Sequence, residues 1–292
     1  MPTNEKARFE LLFIGNELLI GKTLNTNSQW LTRVITSLGG ICYRMTVVRD
    51  ELDEISNAVK EILSRAPRFL IISGGLGPTY DDITLEGLSG AVDKPLVINE
   101  TALAWVTEKY EELQKRGRIT NTEMTPSRVK MAQLPLASKP LYNPVGTAPG
   151  VLLEQGKTKI ICLPGVPQEL EAIFEGSVKT EIVQEIGEYV FLESSFLVKG
   201  IGESALAPLI DEVRARYFPY IYVKSHPRRD QPGVHVEFHL TTTHDVQCYG
   251  KGKEFLEEKI RGVQSELEAG VTKLGGETVH PQDAQANRKS RI

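Results

Sequence analysis

Short, wholly apolar runs alternate with stretches of helical period along the N-terminal part of the chain. Residues 9–15 (FELLFIG) predict a buried strand ended by Gly15, and residues 27–38 a helix with Trp30, Leu31, Val34, Ile35 and Leu38 on one face. Gly39-Gly40 stops that helix. A strand over 41–48, a helix over 52–64, an apolar strand over 69–72 and a helix over 85–92 follow. Apolar strands joined by helices are covered on both faces, so the pattern predicts an α/β fold: three layers around a mostly parallel sheet.

After Pro95 the regularity weakens, although residues 100–115 predict a helix. Residues 150–154 and 159–163 flank the turn Gln155-Gly156-Lys157 and read as a hairpin, and Pro164–Pro167 opens a helix over 168–174. From residue 193 the pattern restarts: strand 196–199, helix 203–216, strands 220–224 and 234–243, and helix 254–268. This predicts a first domain over 1–185, a small β-α-β-β-α domain over 190–275, and a polar, disordered tail over 276–292.

Composition narrows the function classes. Of 292 residues, 40% are apolar and 25% charged, as in soluble globular proteins. The formal net charge of −4 leaves no electrostatic footprint for nucleic acid or an anionic membrane. Cys42, Cys162 and Cys248 are widely spaced without a CxxC, which suits a reducing compartment. The N-terminus has no apolar signal core, and no run approaches the ~18–20 apolar residues of a membrane span. The expectation is a cytoplasmic protein with neither nucleic-acid nor membrane partners.

The candidate chemistry centres on residues 69–84, FLIISGGLGPTYDDIT. An apolar strand enters a turn with Gly74, Gly75 and Gly77, and a helix follows. Such a turn lets backbone N–H groups approach a phosphate. Asp81 and Asp82 would repel that phosphate unless a divalent cation lay between, so the loop reads as a metal–phosphate site. Upstream, GNELLIGKT has five residues between its first glycine and Gly-Lys instead of the four of a Walker A loop, which excludes a P-loop. There Glu17, taken alone, is a solvated loop acid, and Asn27 reads as a helix N-cap at the same sheet edge. Two further loops, 143–150 (NPVGTAPG) and 164–169 (PGVPQE), supply candidates for gripping a long polar ligand. In the second domain His235, Glu237 and His239 alternate with Val234, Val236, Phe238 and Leu240, giving an exposed strand face or, less readily, a metal site. No nucleophile elbow, HExxH or CxxC supports covalent catalysis.

GNELLIGKTLNTNSQWL, SGGLGPTYDDIT, NPVGTAPG and LPGVPQEL stand in the order seen in the N-terminal domain of the competence/damage-inducible CinA family. The chain resembles that family, which has the molybdopterin-binding MoaB/MogA fold, over residues 8–175, and its small domain is similar to the one that follows in CinA. The chain ends before the C-terminal deamidase domain of full-length CinA, so that activity is not expected.

The resemblance implies a metal-dependent pyrophosphatase acting on ADP-ribose or a related nucleotide diphosphate, and a homodimer. Asp81 and Asp82, with Glu17, would hold a divalent cation, Mg or a transition metal, and activate water. Gly74, Gly75, Gly77 and Thr79 would bind phosphate, with Pro78, Thr84 and Asn27 in the same site. Asn143, Gly146 and Thr147, with Pro164, Gly165 and Glu169, would line the nucleoside half. The competing expectations are a molybdopterin-binding or cofactor-biosynthesis protein, although Leu76-Gly77-Pro78 follows the CinA form of the loop and not the GGTG of the molybdenum-cofactor proteins, and a nucleotide binder without catalysis.

Overall fold

The computed structural model describes residues 5–228 and 233–280. They pack as two units that divide between Ile186 and Gly187, with residues 37–39 joining the second. No helix among the described residues is long and apolar enough to cross a membrane.

In the first unit, β1 (Arg8–Ile14) leads through a short helix α1 (Asn16–Leu19) to α2 (Thr26–Ser37). β2 (Ile41–Val48), α3 (Leu52–Ser64), β3 (Phe69–Ser73), α4 (Thr84–Val92), β4 (Leu96–Ile98) and α5 (Glu100–Lys115) follow. Then come α6 (Pro126–Lys130), β5 (Gln133–Pro135), β6 (Lys139–Leu141), β7 (Gly150–Gln155) and β8 (Thr158–Leu163). α7 (Pro167–Ile173) continues through a π-helical turn, Phe174–Val178, into α8 (Lys179–Ile186). The main sheet has the order β2-β1-β3-β8-β7-β6, and β4 pairs with β5 separately. β2, β1, β3 and β8 are parallel, whereas β7 and β6 continue antiparallel.

β1 and β3 are apolar on both sides because helices cover both. Leu12, Ile14, Leu70 and Ile72 join Ile55, Val59, Ile62 and Leu88 of the helices in one core. Phe9 and Phe69 stack on the opposite face with ring centroids 4.5 Å apart. β2 departs from the expected burial: at the sheet edge it leaves Tyr43 and Met45 exposed.

The chain runs from β1 to β2 on one side and to β3 on the other, so the strand order reverses between β1 and β3. In open α/β sheets ligands bind at such a switch point, beyond the carboxyl ends of the strands. All four parallel strands point toward that one edge. They deliver Gly15–Glu17, Asp50, Ser73–Thr84 and Pro164–Glu169 to it.

The second unit contains β9 (Glu193–Lys199), α9 (Glu203–Tyr217), β10 (Ile221–Arg228), β11 (His235–Thr242), α10 (Lys253–Lys273) and β12 (Glu277–Val279). Its antiparallel sheet has the order β10-β11-β9-β12. That connectivity is a split β-α-β, or ferredoxin-like, arrangement. The expected tail over 276–292 is corrected at its start, because β12 pairs with β9 and completes the sheet. Residues 281–292 lie outside the described residues.

The alternation expected in β11 holds for Val236, Phe238 and Leu240, which are buried, and fails at its start. Val234 is exposed and His235 buried. Glu237 is taken up by Arg228 at 2.7 Å, with His239 at 3.5 Å from the same carboxylate. The face is therefore an ion-paired sheet surface. Among the described residues, no group of three or more His, Cys, Asp or Glu side chains is arranged to hold a metal.

One ion pair lies within the first unit's core. Glu10 on β1 is 2% exposed, and Arg65 donates from Nη2 to its Oε2 at 2.6 Å and from Nε to its Oε1 at 2.9 Å. Arg65→Met strands that carboxylate and should destabilise the protein by about 3–5 kcal/mol, read from the urea unfolding midpoint.

Candidate functional site

The glycine turn is dictated by a close approach. Gly74 has φ +114°, and a Cβ built there would lie 2.2 Å from the Ile14 carbonyl oxygen. The chain folds back across the end of β1, which only glycine allows. Gly75 (φ +64°) is crowded by the Thr84 hydroxyl, 2.3 Å from where its Cβ would be.

Thr84 is fully buried, and its hydroxyl donates to the Gly74 carbonyl at 2.8 Å. This corrects its assignment to ligand binding: Thr84 locks the turn from inside.

The acids lie at the turn's outer end. Thr79 N–H donates to Asp82 Oδ2 at 2.8 Å, and the Thr79 hydroxyl reaches Asp81 Oδ1 at 2.5 Å and Asp82 Oδ2 at still shorter range. One hydroxyl carries one proton, so it donates to one carboxylate at a time. Two carboxylates thus converge on a single oxygen.

The Thr79 hydrogen bond, aided by the charge of Lys130, holds the exposed Asp81 carboxyl below its ordinary value. Asp82 lies on Gly77, whose Cβ would be 2.6 Å from Asp82 Oδ2, and Pro78 follows directly. Lys130 Nζ donates to the Thr79 carbonyl at 3.0 Å and lies 3.5 Å from Glu86. No local pattern marks Lys130 as part of the site, because it arrives from α6.

Glu17 is exposed on α1 and folds back over Gly15. Its neighbour in charge is Asp50, whose carboxylate accepts from Asn16 N–H at 2.7 Å. Burial, and then the charges of Glu17 and Asp81, push the Asp50 carboxyl up against that hydrogen bond. Glu17, Asp50 and Asp81 therefore share one acidic region, and Asp50 is a member that sequence motifs did not single out.

Asn27 is not the N-cap. Asn25 caps α2 by accepting from Ser28 N–H at 3.0 Å. Asn27, the second residue of the helix, is buried, and its Nδ2 donates to Ser73 Oγ at 3.1 Å and to the Gly165 carbonyl at 2.8 Å. Ser73 in turn donates to the Pro164 carbonyl at 3.2 Å. These bonds fasten residues 164–165 beside the glycine turn, with a Cβ on Gly165 placed 3.4 Å from Gly74 Cα.

The third loop is organised by Asn143, which was expected to line the ligand. It is 3% exposed and spends its whole amide internally. Nδ2 donates to the Ala148 carbonyl (2.8 Å) and Glu169 Oε2 (2.7 Å), and Oδ1 accepts from Val145 and Gly146 N–H at 3.0 and 2.8 Å. Asn143 is thus a loop organiser. The Thr147 hydroxyl turns toward the Met131 sulfur, 3.8 Å away. Gly146 lies directly under Glu169, and a Cβ there would be 2.0 Å from its Oε2. Burial pushes the Glu169 carboxyl up, opposed by the Asn143 bond.

The edge therefore offers the backbone N–H groups of Gly75, Leu76 and Gly77, those of Gly74 and Thr79 being taken by the Leu163 carbonyl and Asp82, together with two convergent carboxylates and one lysine. Asp81 and Asp82 present oxygen donors only, which fit a hard divalent cation that completes its shell with phosphate and water oxygens.

A family model described as "Probable molybdopterin binding domain" matches residues 10–184. A protein of Metallosphaera sedula is 40% identical over 270 residues, covering 91% of this chain and 95% of the relative. A Pyrococcus horikoshii protein is 38% identical over 250 residues, covering 86% of this chain and 94% of that one. Among solved structures, a CinA protein of unknown function from Thermoplasma acidophilum is similar at 38% identity and a TM-score of 0.54, over 61% of this chain and 99% of that chain. The match begins inside β1 and ends in α8, so it spans the first unit and every loop of the edge described above, and the chain belongs to the molybdopterin-binding domain family, as a CinA-like member.

Proposed function

We propose that the edge formed by Gly74–Thr79, Asp81 and Asp82 binds the phosphate end of a molybdopterin-class or nucleotide ligand through a divalent cation. The observation that carries this reading is the convergence of the Asp81 and Asp82 carboxylates on Thr79, at the outer end of the glycine turn. Two acids so close to bound phosphate are favourable only with a cation between them. The family description supports the molybdopterin class.

A second reading is catalytic, and the CinA likeness of the paired acids favours it. When bound, the cation would supply Lewis-acid polarisation of a phosphate oxygen and a more acidic water. The chain's own groups would do the rest. Backbone N–H groups of Gly75, Leu76 and Gly77 would orient the diphosphate, Lys130 would offset charge, and Asp81, held ionised by Thr79, would accept a proton from water. Attack of that water on one phosphorus of ADP-ribose breaks the bond to the bridging oxygen and yields AMP and ribose 5-phosphate.

Incubation with ADP-ribose, other nucleotide diphosphates and a pterin phosphate, each with Mg or Mn, followed by mass spectrometry, separates the readings. Cleavage supports the second reading, and retention of an intact ligand supports the first. In either case Asp81→Asn and Asp82→Asn should weaken cation-dependent binding by about tenfold or more, as expected for loss of a charged partner. Unchanged binding in folded variants contradicts the metal role. Thr79→Val removes the hydroxyl that stabilises ionised Asp81, so the Asp81 carboxyl should titrate at higher pH, read by carbon-detected NMR.

A further inference from the structure

Between β1 and α2 the chain passes the acidic region on a segment that has little hold on the rest of the protein. Its ends are fixed: Gly15 N–H donates to the Val48 carbonyl at 3.2 Å, and Asn25 caps α2. Of residues 16–24 between them, only Leu18 is half-buried, and the others are exposed. Among the described residues, the one hydrogen bond that 16–24 makes outside residues 15–26 runs from Asn16 N–H to Asp50. Gly21 bends the segment at φ +71°, with nothing within 4 Å of where a Cβ would stand.

This loosely held segment is also apolar. Leu19, Ile20 and Leu24 are 49, 74 and 82% exposed, and Tyr80, beside Asp81 on the glycine turn, is 92% exposed. A single exposed apolar side chain is ordinary, whereas four on two loops at one strand edge are an unmatched apolar surface. A segment tied almost wholly by local bonds opens and closes at small cost. Charge decides which state the empty site favours. Glu17 rides on this segment, and its carboxylate and that of Asp81 both act on Asp50. Like charges keep the segment off the glycine turn, and a divalent cation between them reverses the sign of the interaction.

We infer that residues 16–24 are a lid: a cation on Asp81 and Asp82 draws Glu17 inward, and Leu19, Ile20 and Leu24 close against Tyr80 over the bound phosphate. This rests on the cation reading proposed above. Closure excludes bulk water from the cation, which strengthens its hold on phosphate oxygens and, in the hydrolytic reading, restricts attack to the water held in the site.

Hydrogen–deuterium exchange of the full chain, read by mass spectrometry, tests this with inorganic pyrophosphate and Mg. In the protein alone the amides of 16–24 should exchange fast. At saturating Mg and pyrophosphate they should slow by about tenfold or more, together with those of 74–77. The double variant Ile20→Ser, Leu24→Ser removes side chains that the open state leaves in water, so its fold is kept. It should lose the added protection at 16–24 and, by calorimetry, bind pyrophosphate with Mg about tenfold more weakly, as when an aliphatic side chain is no longer buried.

Unchanged exchange at 16–24 with protection at 74–77 overturns the lid and leaves the cation reading standing. No change at either segment removes the cation reading and the lid with it. Slow exchange at 16–24 in the protein alone shows a segment already packed and overturns the lid, as does undiminished protection in the double variant. Should the near-UV circular dichroism of that variant depart from wild type, Tyr80→Ser, which withdraws the facing ring, replaces it with the same expected pattern.

Discussion

Everything at the functional edge depends on the passage of Gly74 over the end of β1. The backbone there approaches the Ile14 carbonyl so closely, at φ +114°, that no side chain fits. This reversal puts the turn above the point where the strand order changes, with its peptide groups at the strand ends. It also presents the Gly74 carbonyl to the buried Thr84 hydroxyl, and brings residues 164–165 alongside, where Asn27 and Ser73 hold them. The neighbouring contacts are thus consequences of one close approach and collapse together if it is lost.

Electrostatics then gives this geometry a purpose. Glu17, Asp50, Asp81, Asp82 and Glu86 gather around an edge where Lys130 contacts the turn. The hydroxyl of Thr79 can neutralise neither acid, since it lends a single proton to two carboxylates. Such an arrangement contributes little to stability by itself. In the function proposed above, a cation and a phosphate would complete it together, as functional sites commonly depart from what folding alone would select.

Much of this was legible in the residues. The apolar runs at 9–14 and 69–73 declared a buried parallel sheet, and the glycines followed by paired aspartates declared the loop. What escaped notice did so for physical reasons. Asn25 and Asn27 are equally good caps, and only the helix start distinguishes the capping residue from the one that points inward. Thr84 looks like a ligand group until its burial shows where its hydroxyl goes, and Asn143 until its bonds are traced to its own loop and to Glu169. Lys130 and Asp50 come from elements distant in sequence, so no spacing could join them to the turn. β12 is three residues long in a polar stretch, and pairing with β9, not its own pattern, makes it a strand. His235 is drawn inward at the start of β11, where alternation alone placed it outside.

The most direct test of the central claim is amide chemical-shift mapping of the isotope-labelled protein titrated with inorganic pyrophosphate in the presence of Mg. The account predicts saturable shifts concentrated at the amides of residues 74–77, 79, 81 and 82, abolished when Mg is withheld. Shifts confined to other surfaces, or no saturable change at the glycine turn, would contradict it.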